Sequence, residues 1–281
     1  MKVYQEYVGK EKEVYVKCMI NEKEAPNVIF FMTPIGSVEN EVAVNNYLPL
    51  YDKGFNVFAV DLPGIGNSHR GSFTYENIKE AIKRVAEYIK ETCSDAIHLY
   101  GGTGTGGIIG QALASDEDLP YFKSYSQFGV GNHGDLSVIG NGLMLKAAFP
   151  ILTIAGKLFP KYRLKFKVPK YNGYNAKKEN QWYATMMKEN PEIFDLPLEV
   201  VNTLLWVLIA KESPLKKTPS VPTLVLAAKH DRYFSTKYID HYYGRLDGKK
   251  NIHWLEDSHC AFVWRTGELT DHVAEWIECT S

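Results

Sequence analysis

The stretch IHLYGGTGTGGIIG, residues 97–110, passes from an apolar run through a cluster of glycines into a second apolar run. That order predicts a strand, a tight turn and a helix, because glycine alone enters such a turn without a side-chain clash. Two readings of the turn compete. Gly102, Gly104 and Gly107 spell G-x-G-x-x-G, the phosphate-cradling turn of dinucleotide-binding proteins. Alternatively, Gly102-Thr103-Gly104-Thr105-Gly106 is G-x-S-x-G with glycine in the place of the serine.

The residues around the turn set its context. VYQEYV (3–8) and EVYVKCMI (13–20) alternate about a short polar turn and predict an opening hairpin. NVIFFMTP (27–34) and FNVFAVDLPGIG (55–66) begin as continuous apolar runs, the pattern of strands buried on both faces. Between them NEVAVNNYLPLYDKG (40–54) predicts a helix stopped at Gly54. TYENIKEAIKRVAEYIKET (74–92) places Ile78, Ile82, Val85 and Ile89 on one helical face behind Thr74 as N-cap. YSQFGVG (125–131) is a further strand, so strand and helix alternate from residue 28 to about 130. The fold class this implies is α/β, a mostly parallel sheet with helices on both faces.

The rhythm then breaks. Residues 132–218 carry the aromatic and basic run KLFPKYRLKFKVPKYNGYN (157–175) and helical pieces such as ENQWYATMMKEN (179–190) and LEVVNTLLWVLIAKES (198–213). Strands resume at PTLVLAAKHD (222–231) and NIHWLEDSHC (251–260), and LTDHVAEWIEC (269–279) closes the chain as a helix. The expected organisation is a core of residues 1–131 and 219–281, with residues 132–218 inserted as a helical cap.

Bulk composition narrows the function classes. The 281 residues carry 32 Lys and Arg against 33 Asp and Glu, a net charge of −1 that offers no overall electrostatic argument for nucleic acid. The apolar runs AAFPILTIAG (147–156) and TLLWVLIA (203–210) fall short of the roughly 20 residues that span a bilayer. MKVYQEYVGKEKEV has no apolar leader core, and Cys18, Cys93, Cys260 and Cys279 show neither a C-x-x-C pair nor metal-ligand spacing. Free thiols in a cytoplasmic protein are the expectation, with a small molecule as partner.

The dinucleotide reading fails on its own terms. Such a turn is followed about 20 residues on by an acid at the end of the next strand, and SQFGVG (126–131) supplies no carboxylate. No cofactor and no metal is therefore expected. The other reading gains four landmarks in order: FFMTPIGS (30–37), DLPGIGNSHRG (61–71), YGGTGTGG (100–107), and the pair LVLAAKHDRYF (224–234) and LEDSHCAF (255–262). In this order and spacing the chain resembles the α/β-hydrolase superfamily, specifically its capped esterase and lipase-like members, over nearly its whole length.

What the resemblance implies is a set of expected roles. The nucleophile position is Gly104, which has no side chain; Asp231 is the orienting acid and His259 the base, in the order this fold prescribes. Backbone N–H groups of Ile35 and Thr105 would form the oxyanion hole. Thr103 and Thr105 flank position 104 with side chains turned away from the histidine, and Cys260 faces away from the site beside His259. Asp135 is the alternative acid, in the loop after YSQFGVG, with His133 beside it as a pocket-lining candidate. Trp182 and Met186 are candidates for an apolar substrate wall, although helical spacing predicts ordinary packing for them equally well.

Three accounts explain a glycine at position 104: an inactivated variant of a serine hydrolase; a serine-independent enzyme in which Asp231 and His259 act as a general base in hydrolysis, elimination, cyclisation or decarboxylation; or a pseudoenzyme holding a small apolar ligand under the cap. The substrate expected under the first two is an apolar ester, amide or related carbonyl compound.

Overall fold

The computed structural model describes residues 2–9, 14–32, 36–68, 71–103, 105–129 and 142–281. Of the site residues expected from sequence, Ile35, Gly104, His133 and Asp135 lie outside the described residues.

The sheet is built from strands β1 (Lys2–Val8), β2 (Val14–Ile20), β3 (Asn27–Phe31), β4 (Asn56–Val60), β5 (Ile97–Thr103) and β6 (Phe122–Phe128). After a long excursion it is completed by β9 (Thr223–His230) and β10 (Lys250–Ser258). The excursion contributes its own short strands, β7 (Arg163–Lys165) and β8 (Asp195–Pro197). The main sheet has eight strands in the order β1-β2-β4-β3-β5-β6-β9-β10. The opening hairpin pairs antiparallel, β2 runs antiparallel to β4, and every later neighbour pair is parallel.

Period-two alternation divides the strands between two cores. Ile29, Phe31, Phe58 and Val60 face α2 (Tyr75–Thr92) and α3 (Thr105–Ala114), whereas Val28, Phe30, Val57 and Ala59 face α1 (Glu41–Asp52) and α9 (Thr266–Glu278). Helix α2 buries Ile78, Ile82, Val85 and Ile89 completely, and Thr74 Oγ1 accepts from the Asn77 N–H at its start. Each such aliphatic contributes about 1.5–3 kcal/mol on transfer from water. Helix α7 (Thr236–Gly244) buries Ile239 and Tyr242 against Val225 and Ala227 of β9, an element its short polar-rich sequence did not announce.

The chain leaves the sheet after β6 and returns at β9, and these two strands are direct neighbours. Between them come α4 (Gly142–Leu158), α5 (Ala176–Glu189) and α6 (Leu198–Ile209); the last two match the helical pieces in the sequence, and α4 contains the apolar run AAFPILTIAG. The sequence of this excursion points to a mostly helical insertion; the structure adds a short antiparallel ladder that pairs Arg163 with Pro197 and Lys165 with Asp195. Three residues a side are too few to leave an alternating pattern. Among the described residues no helix is long and apolar enough to cross a membrane.

Candidate active site

Strand β5 ends at Thr103 and α3 begins at Thr105, so a single residue joins strand to helix at position 104. The glycines on either side make this junction tight. A Cβ on Gly101 would lie 3.1 Å from the Cα of Gly110, and one on Gly110 would lie 2.9 Å from the ring of Tyr125. Helix and strand therefore touch backbone to backbone here. Tyr125 closes the contact by donating its hydroxyl to the Gly107 carbonyl at 2.7 Å.

At the same end of the sheet, β9 and β10 deliver an acid and a histidine. Their register pairs Lys250 with Thr223 and Leu255 with Ala228, then slips by one residue so that Ser258 meets His230. Without the slip Asp231 would stand beside Ser258; with it, the next residue on each strand is Asp231 on one side and His259 on the other. Bulges of this kind re-aim side chains beside active sites. The outcome is a bond of 2.7 Å between His259 Nδ1 and Asp231 Oδ2, with the carboxylate 1% and the imidazole 9% exposed. The second carboxylate oxygen accepts from the Tyr233 and Phe234 backbone N–H groups at 2.7 and 3.0 Å. Asp231 is thus held at three points, and a proton on Nδ1 leaves Nε2 as the basic nitrogen.

Aromatic rings enclose the imidazole. Tyr233 stands edge-on at 4.7 Å between centroids, with Phe262 at 5.9 Å and Phe234 at 6.1 Å. Gly129, just past β6, comes close to the acid: a Cβ there would lie 3.4 Å from Asp231 Oδ2. Cys260 is fully buried, and its thiol is pushed well above the ordinary range by that burial, so it is no thiolate nucleophile.

The bulge itself is braced by Asp257, whose importance the sequence did not signal. Its Oδ1 accepts from Ser258 N at 2.7 Å and from Asn175 Nδ2 at 2.8 Å, and its Oδ2 accepts from Trp264 Nε1 at 2.9 Å. Asn175 caps α5 in a left-handed conformation, φ 56°, unusual outside glycine. Helix α5 makes a second connection. Glu179, fully buried, pairs with Arg232 at 3.3 Å, and Arg232 lies over the rings of Tyr171, Tyr183 and Tyr233. Trp182 packs edge-on against Phe262 at 5.7 Å, and Phe262 in turn stands 5.9 Å from the histidine, while Met186 is buried in the same broad core.

A second buried carboxylate, Asp61, follows β4, on the other side of β5 in the sheet, and is 1% exposed. It accepts from Val38 N at 2.6 Å, Ser37 Oγ at 2.8 Å and Asn67 N at 2.8 Å. These bonds join residues 36–38, which adjoin Ile35, to the turn at 66–68. Burial raises the Asp61 carboxyl above its usual pKa, outweighing donors that act in the other direction. Gly66, φ +51°, lets this turn approach: a Cβ there would fall 2.4 Å from Asp61 Oδ2. In the landmark DLPGIGNSHRG it is the buried carboxylate of Asp61 that ties two loops together.

Comparison with known proteins agrees with this architecture. No curated protein matches the chain in sequence. Among solved structures, monoacylglycerol lipase from Paleococcus ferrophilus superposes with a TM-score of 0.68 at 16% identity, covering 100% of both chains. A soluble variant of monoglyceride lipase from Saccharomyces cerevisiae, in complex with a substrate analog, gives 0.69 at 12% identity over 100% of this chain and 96% of that one. Est1E from Butyrivibrio proteoclasticus gives 0.61 at 13% identity, covering 99% and 100%. At such identities the likeness is one of fold. The family model described as "Alpha/beta hydrolase family" matches residues 39–267, most of the sequence. With that match and the strand order above, the chain belongs to the α/β-hydrolase family.

Proposed function

We propose that the protein acts on an apolar ester, amide or related carbonyl compound, with Asp231 and His259 as a general-base pair and no acyl-serine intermediate. The observation that carries this reading is the 2.7 Å Asp231–His259 bond, buried and braced from both strands, in a chain whose elbow position holds Gly104. An oriented, desolvated imidazole is the device that takes a proton from a nucleophile. With no hydroxyl at position 104, the proton comes from a water or from the substrate itself. Backbone N–H groups of Ile35 and Thr105 receive the developing oxyanion. Residues 132–218 serve as the cap, with Trp182 and Met186 backing an apolar wall and Thr103, His133 and Asp135 at its margin.

The aromatic ring of Tyr233, Phe234 and Phe262 about His259 favours a second reading, retention of an apolar ligand without turnover. The two separate cleanly. Wild type and His259→Ala are incubated with a panel of aryl and acyl esters and lactones, and product is followed by mass spectrometry. The proposal expects turnover that falls by about 10²–10⁴ in His259→Ala. Equal turnover in both proteins excludes the general-base role, and binding without any product selects the ligand-holding reading.

A further inference from the structure

We propose a divalent-metal site, suited to Zn²⁺, that joins the edge strand β10 to the last helix α9 through His253, Glu268 and His272. Glu268 and His272 are four residues apart on α9, which stacks them on one helical face. His253 comes from the middle of β10, and one ligating atom from each of the three lies within 4.8 Å of the others. His253 Nε2 and Glu268 Oε1 stand 3.4 Å apart. Two ligands about 2.0 Å from a tetrahedral zinc are separated by about 3.3 Å, so this pair already has the spacing. The rings of His253 and His272 are stacked, 3.5 Å between centroids at 33°, which sets the second imidazole beside the first; on taking up an ion the two rings splay so that one nitrogen of each meets it. A His₂Glu set with an open fourth position is a zinc-binding combination.

The groups behind these three side chains strengthen the assignment. Arg265 Nε donates to Glu268 Oε2 at 2.8 Å, which fixes the carboxylate and leaves Oε1 toward the histidines. Glu275 Oε2 lies 3.3 Å from His272 Nδ1, a carboxylate partner that leaves Nε2 as the ring nitrogen for a metal. Such outer contacts orient ligands and raise their basicity. The residues are half-buried, so an ion can enter from solvent. Local spacing does not announce this set, because the third ligand comes from a strand and the cysteines take no part. The site is separate from the Asp231–His259 pair, and the proposal does not depend on that pair's chemistry.

The test is calorimetric titration of the full chain, stripped with a chelator and dialysed, with zinc chloride in a non-chelating buffer. Expected are one equivalent bound with micromolar or tighter affinity and a rise in Tm with zinc, since a ligand of the native state stabilises it by mass action. His253→Ala and His272→Ala, both checked for native circular dichroism, each weaken binding at least tenfold, and Glu275→Gln weakens it less. Cys279, the exposed free thiol near the chain end, is the control. The proposal is overturned if wild type binds no zinc, if the histidine variants bind it unchanged, or if Cys279→Ser alone abolishes binding. Should either alanine variant misfold, the visible bands of bound Co²⁺ in the wild type decide: a nitrogen–oxygen tetrahedral spectrum supports the site, and thiolate charge-transfer bands reject it.

Discussion

Arg232, the residue directly after Asp231, forms an ion pair of 3.3 Å with Glu179 on α5, with the two side chains 8% and 0% exposed. The segment between β6 and β9 is thereby joined to the loop that carries the acid. An ion pair out of reach of water is most costly when only one partner is removed. Glu179→Ala strands the guanidinium and is expected to lower unfolding free energy by about 3–5 kcal/mol in urea titrations. The Glu179→Met, Arg232→Met double variant recovers most of that loss, since neither charge then remains. A Glu179→Ala variant as stable as wild type would show that the unpaired guanidinium carries no such cost.

At the strand-to-helix junction, Gly104→Ser is expected to lower Tm, because a side chain on an elbow sits in strained backbone geometry worth about 1–3 kcal/mol. The same variant places a hydroxyl where the resemblance puts the nucleophile. Burst-phase release from a nitrophenyl ester, with an acyl adduct on residue 104 seen by mass spectrometry, is the expected outcome. A folded variant that neither loses Tm nor acquires the adduct contradicts the assignment of position 104.

The Asp61 turn allows a paired comparison of two glycines with positive φ. Gly66→Ala forces a Cβ to within 2.4 Å of Asp61 Oδ2 and 2.8 Å of Ser37 Cα, on top of φ +51°. Gly54→Ala, at φ +97°, meets nothing within 4 Å. Backbone strain alone predicts about 1–2 kcal/mol for Gly54→Ala, and added overpacking about 2–4 kcal/mol for Gly66→Ala. Chemical denaturation ranks the two, and the reverse order would remove the clamp from the explanation.

His98 on β5 supplies a pH prediction. It is 1% exposed, bonded through Nδ1 to Ser124 Oγ at 2.8 Å. Burial first, and the nearby Lys123 second, lower its pKa to about 4. Above the unfolded value of about 6.5 neither state holds the proton, so this residue adds no pH dependence to stability there. As pH falls toward 4 the unfolded chain binds a proton that the fold refuses, and stability drops by about 1.4 kcal/mol per pH unit. Subtracting the unfolding curve of His98→Asn, which keeps a polar group for Ser124, isolates the effect. A difference that stays flat between pH 7 and 4 would falsify it.

The strands were legible because a parallel strand buried on both faces leaves a continuous apolar run, as NVIFF and TLVLAA do. Asp231 and His259 were legible for a related reason, since each follows such a run. Their side-by-side placement was not, because the one-residue slip near Ser258 depends on hydrogen bonding between strands rather than on side-chain type. Glu179 and Arg232, 53 residues apart, share no local pattern, and nothing in the strand run NIHWLEDSHC marks Asp257 out. Trp182 and Met186 were visible as a helical stripe, and only the structure shows that Phe262 stands between Trp182 and the histidine. Helix α7 has no clear signature in the sequence because only three of its nine residues are buried, two of them tyrosines, which makes a weak periodic signal.

The neighbouring pair β6 and β9 has a consequence for the order in which the molecule is made. Closing so long a loop between adjacent strands adds only about 0.6 kcal/mol for each doubling of its length, so the sheet tolerates the excursion. Time is a different matter. During synthesis the amino-terminal strands, the elbow and α3 emerge first, and nothing can pair with β6 on its open side until β9 has left the ribosome. Asp231 and His259 ride on the last two strands to dock, whose neighbours must already be in place. Their hydrogen bond therefore cannot form before β9 and β10 have docked, and a signal from that proton would mark a late stage of folding.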